Sequence, residues 1–132
     1  MTEMPSTNTA MAAECAILRG CFEQLDRAGQ RQVVFDLLRD QRDTFIQLRN
    51  HLHLLANPFG RHPDETLEMV AQAWQALEEG RPTIDRHLAQ ALQIKLYLLT
   101  RQLKGLLASR VKDFPLPLES NQLRRPTRAK RL

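Results

Sequence analysis

Between Gln30 and Asn57 the chain contains neither glycine nor proline, and between Thr83 and Asp113 it contains only Gly105. Little else limits a fold so strongly, because these two residue types are what most often end a helix. Inside the first gap Val34, Leu38, Gln41, Phe45, Leu48, Leu52 and Leu55 recur at alternating spacings of four and three. That is the period of helices packed nearly in line, here with one polar member. β-Branched residues are scarce and no alternation of period two lasts beyond about four residues, so no strand is expected. The intervening NPFGRHP (57–63) and EGRP (79–82) carry loop chemistry.

Four helices follow. The first, about 9–27, places Met11, Cys15, Leu18, Phe22 and Leu25 on one stripe, and the second covers about 30–56. The third starts at Pro63, a favourable first-turn residue, with Asp64 and Glu65 at the positive end of the dipole. Leu67, Val70, Trp74 and Leu77 form its stripe, and Gly80 ends it. Thr83 can cap the fourth helix, which is dense in apolar residues from Ile84 through Leu107. These cover more than one face, so a bundle this small needs a second surface to bury them. The expected fold is an all-α bundle of about four helices, two of them long, completed by homodimerisation.

At 132 residues the chain is one domain's worth and needs no disulfide or metal to hold a core. Two cysteines are too few for a disulfide scaffold, and no basic start followed by an apolar block opens the sequence. The longest apolar run, Leu96–Leu99, falls far short of the ~20 residues of a membrane span. A cytoplasmic protein with no membrane association is therefore expected. The formal charge of +4 is confined to ESNQLRRPTRAKRL (119–132), where Arg124, Arg125, Arg128, Lys130 and Arg131 outnumber Glu119. Residues 1–118 carry equal numbers of basic and acidic side chains. We expect a disordered N-terminus (1–8), a helical domain (9–114) and a disordered basic tail (115–132) introduced by alternating prolines.

No set of residues suits catalysis. Cys15 and Cys21 lie six apart on one helix, about 9 Å along its axis and beyond the roughly 7 Å reach of a disulfide; they read as small buried hydrophobes. His51 and His53 diverge by about 200° on a helix, whereas shared metal ligation wants a spacing of four. No glycine-rich phosphate loop is present. Neither an enzyme nor a bound cofactor or metal is expected.

Two resemblances bear on function. The segment from Glu79 to Val111 places Leu88, Ala89, Leu92, Ile94, Leu99, Leu103 and Leu106 at the apolar spacing of a helix-turn-helix, and resembles winged-helix and plasmid-type repressors. It implies a turn at Gln93 and a DNA-reading helix beyond it, within residues 84–108. Lys95, Thr100, Arg101 and Lys104 would then contact DNA, assisted by Arg124, Arg125, Arg128, Lys130 and Arg131 of the tail. Gln93 stands where such a turn normally has glycine, Leu96, Tyr97 and Leu98 occupy the reading face, and no wing follows Val111. The second resemblance is carried by DLLRDQR (36–42), LHLLANP (52–58) and HLAQALQIKLYLL (87–99). In this organisation the chain resembles the small all-helical antiactivators of bacterial quorum sensing, of the TraM type and its pseudomonad counterparts. That resemblance implies a homodimer that binds a transcription activator and blocks it.

The expectation taken forward is a non-enzymatic regulator that binds another protein, a transcription regulator, through apolar helical surfaces. Phe35, Phe45, Leu96, Tyr97 and Leu98 are its interface residues. The alternative is the helix-turn-helix DNA-binding regulator.

Overall fold

The computed structural model describes residues 7–80 and 85–116. They form four helices, α1 (Thr7–Glu23), α2 (Arg27–Leu52), α3 (Asp64–Glu79) and α4 (Arg86–Ala108), and no strand is found among the described residues. The cationic tail from 119 onward, residues 1–6 and Thr83 lie outside them.

Capping chemistry explains where the helices begin and end. α1 starts at Thr7, two residues inside the stretch expected to be disordered, and stops at Glu23, short of residue 27. Asp26 is the reason for the early stop: its carboxylate accepts the Gly29 amide at 2.8 Å and starts α2 at once. α2 ends at Leu52 instead of near residue 56, because His53 turns left-handed with φ 53°. Pro63 precedes α3 and Gly80, at φ 75°, closes it. Asp85, not Thr83, caps α4, accepting the Leu88 amide at 2.8 Å.

The core is continuous across all four helices. α1 lies against α3 and α2 against α4, with α3 also touching α2 and α4. Thr9 bonds Glu78 and Arg19 bonds Glu68, ten residues apart on both helices, so α1 and α3 run antiparallel. The link from α2 to α3 is fastened to α3 by its backbone: Asn57 N–H donates to Glu65 at 2.7 Å and Thr66 Oγ1 donates to the Pro58 carbonyl at 3.1 Å. Phe114 and Leu116 pack against the core, so packing continues two residues past the expected domain end at 114.

The stripe assigned to α1 is the buried one: Cys15, Leu18 and Phe22 are core, with Met11 and Leu25 half-buried beside them. α3 buries Leu67, Val70 and Trp74 as expected, and Met69, Ala73 and Ala76 as well. α2 departs from its expected stripe. Its second half buries Phe45, Leu48 and Leu52, but its first half buries Val33 and Leu37 in place of Val34 and Leu38. The cause is a kink at Gln41, whose φ of −120° and ψ of 23° are not helical. A break in the helical path shifts the phase of everything before it. Leu55, beyond the left-handed His53, is 93% exposed and belongs to no stripe.

Candidate functional site

α4 is one uninterrupted helix through Gln93. The turn required by the helix-turn-helix reading is not formed, which corrects that expectation. A glutamine inside a run of good helix formers, with no αL residue available, simply continues the helix. Gln93 instead reaches α1, donating to Asn8 Oδ1 at 2.8 Å.

The buried face of α4 consists of Leu92, Leu96, Leu99, Leu103 and Leu107. α4 packs against α1, α2 and α3, so most of the apolar surface that called for a second chain is covered within this one. Two large residues remain on the outer side, Ile94 at 61% and Leu98 at 48% exposure. Being four apart, they stand one above the other on the helix surface. Tyr97 beside them is half-buried against the core, and Lys95 is exposed.

The remaining expected site residues separate according to helical phase. Leu96 and Phe45 are fully buried and serve the core, not an interface. Phe35 is 62% exposed, flanked one turn away on each side by the exposed Arg31 and Arg39 of α2. Thr100 is fully buried: it accepts the Trp74 indole N–H at 3.0 Å and donates to the Leu96 carbonyl at 2.8 Å. Lys104 is also withdrawn, its Nζ lying 2.9 Å from Glu14 Oε2 on α1 with little of either side chain exposed. That carboxylate oxygen accepts no well-directed hydrogen bond, so the contact is an ion pair of charges more than a directional bond. Thr100 and Lys104 are therefore structural, contrary to their expected place on DNA. Arg101 is half-buried, and the five basic residues named in the tail lie outside the described residues.

On the α2 side, α4 is held at the kink. Gln102 donates to Asp40 Oδ2 at 2.8 Å and accepts from Gln41 Nε2 at 2.8 Å. Arg39 grips Asp40 at 3.0 Å and reaches Asp36 at 3.4 Å. The hydrogen bond from Arg39, aided by that from Gln102, holds the Asp40 carboxyl below its ordinary value. The DLLRDQR segment thus works as a brace between α2 and α4.

No family model, curated protein or solved structure matches this chain.

Its surface must be read on its own chemistry. Among the described residues no three His, Cys, Asp or Glu side chains gather as a metal site, and no helix is long and apolar enough to cross a membrane. What α4 offers is an apolar ridge with a basic edge. Sequence reasoning missed Ile94 as part of it; the signal was present, because Ile94 precedes Leu98 by one helical turn and lies opposite the Leu92–Leu96–Leu99 arc.

Proposed function

We propose that this chain is a non-enzymatic regulator that acts in the cytoplasm by binding another protein, a transcription regulator, in the manner of an antiactivator. The outward ridge of α4 is the binding surface. One observation carries the reading: Ile94 and Leu98 project together from the outer side of a helix whose other leucines are buried or half-buried. Burying the exposed parts of these two side chains is worth roughly 1 kcal/mol each, enough to anchor a helix-sized contact when polar edges add register. Supporting it over DNA reading, Thr100 and Lys104 are consumed by the fold and α4 has no turn.

The test is site-specific photo-crosslinking in the cells that make the protein, with a photoreactive phenylalanine analogue at position 94, 35 or 75. A transcription regulator cross-linked from position 94, and not from position 75 on the outer side of α3, is the expected product. A nucleic-acid adduct, or only adducts joining two copies of this chain, would sink the reading.

A further inference from the structure

We propose that the first half of α2 is a two-state element, able to pack either Val33 and Leu37 or Val34 and Leu38 into the core. Gln30 and Gln102 hold it in the first arrangement.

The segment is degenerate at the positions that matter. In VVFDLL (33–38) a valine follows a valine and a leucine follows a leucine. Val33 and Leu37 are fully buried, while Val34 and Leu38 lie half-buried against the same core. One screw step of the helix, about 100° of turn and about 1.5 Å of rise, would put Val34 where Val33 stands and Leu38 where Leu37 stands. The core would receive the same two side-chain shapes, the exchange that a close-packed interior tolerates best.

The second arrangement is also the one a straight helix favours. Val34 and Leu38, with Gln41 between, lie in line with Phe45, Leu48 and Leu52 at spacings of four and three. Val33 and Leu37 share a core with those three only because Gln41 leaves the helical path at φ −120°, ψ 23°. No glycine or proline lies between Gln30 and Asn57 to cause that break. Side chains from outside the segment hold it instead. Gln41 Nε2 donates to Gln102 Oε1 at 2.8 Å, and Gln102 Nε2 donates to Asp40 Oδ2 at 2.8 Å. At the other end Gln30 Nε2 donates to the Phe22 carbonyl at 3.1 Å.

The step would re-sort the surface of α2 in a definite way. Phe35, now 62% exposed, would take the half-buried place of Val34. Val33 would emerge at the exposed place of Gln32, and Leu37 would pass to the half-buried place of Asp36. Asp40 would leave Gln102 for the place of Arg39. Covering the phenyl ring offsets exposing the valine, which keeps the two packings close in free energy. A partner that grips the exposed Phe35 ring would favour the present arrangement.

Thiol reactivity distinguishes a turn of the helix from a general loosening. Val33→Cys, Phe35→Cys and Leu48→Cys are made singly in the full chain and reacted with a disulfide reagent at neutral pH. The parent chain gives the background of the buried Cys15 and Cys21. Positions 33 and 48 should react slowly and position 35 fast. Adding Gln102→Ala should speed position 33 about tenfold, the population shift of a lost pair of hydrogen bonds. It should slow position 35 and leave position 48 unchanged. Gln30→Ala, at the opposite tie, should act in the same direction. A rise at position 33 without a fall at 35, or with a matching rise at 48, means loosening and overturns the proposal. So does a position 33 that reacts no faster in either variant.

Discussion

Trp74 is the largest side chain in the core, and a buried indole N–H needs an acceptor. Thr100 provides it, and its own hydroxyl donates a hydrogen bond to the carbonyl of Leu96. Replacing Thr100 with valine keeps the volume and strands the indole, which should cost about 1–3 kcal/mol in chemical denaturation; serine at the same position should cost far less. Nothing in the residue type announced this role. Its position did, since Thr100 follows Leu96 by one turn and so shares the buried arc. The cysteines were legible as they stand: both are free and buried. Burial, with the neighbouring Glu14 charge adding to it, pushes the Cys15 thiol up to about 12, and burial also raises Cys21. A disulfide reagent at neutral pH should therefore leave both thiols untouched until the protein is unfolded. The folded-state value of Cys15 lies above its ordinary 9.0, so its share of stability is complete below pH 9 and is lost as pH climbs towards about 12. Titrating denaturation midpoints of the wild type against Cys15→Ala across that window measures the share; a constant difference would contradict it.

Among the helices, the ends and the faces were each legible in part. Gly80 illustrates a local signal that holds, because φ 75° is a conformation an L side chain resists. Alanine there should destabilise by about 1 kcal/mol. Gly105 is the opposite case: it sits inside α4 with open space around it. Alanine at that position should stabilise by about 0.5–1 kcal/mol through backbone entropy alone. Thermal unfolding of the two variants should move the midpoint in opposite directions, and a shared direction would refute the account of both. The face of α2 was half legible. Phe45, Leu48 and Leu52 fall where a straight helix puts them, but the kink at Gln41 displaces the burial to Val33 and Leu37. A periodicity argument assumes one helical path. The hydrogen bonds of Gln102 to Asp40 and Gln41 span about 60 residues of sequence and leave no trace in local pattern.

Across the whole molecule, the distribution of charge matters more than its sum. The net +4 belongs to residues 119–132 and the rest is formally neutral. A chain ending at Leu118 should keep its helical spectrum and lose whatever duplex DNA binding the full chain has at low salt, with a full-chain salt slope set by at most the five basic residues of the tail. Retained duplex binding by the shortened chain would show that the helical body itself holds nucleic acid. Composition and Gly and Pro punctuation were enough to determine that the described residues form four helices and no strand, with breaks expected near 28–29, 57–63 and 79–82; the first two fall at 24–26 and 53–63 instead. Those outcomes depend on hydrogen bonds and dihedral preferences that act within a few residues. Only the tertiary structure decided which of the described leucines are core and which are surface, that Thr100 and Lys104 face inward, and that α4 continues through Gln93 with Ile94 and Leu98 outside. An apolar side chain is buried or not according to which helix lies across from it, and here α1 chose α3 and α2 chose α4, partners distant in sequence.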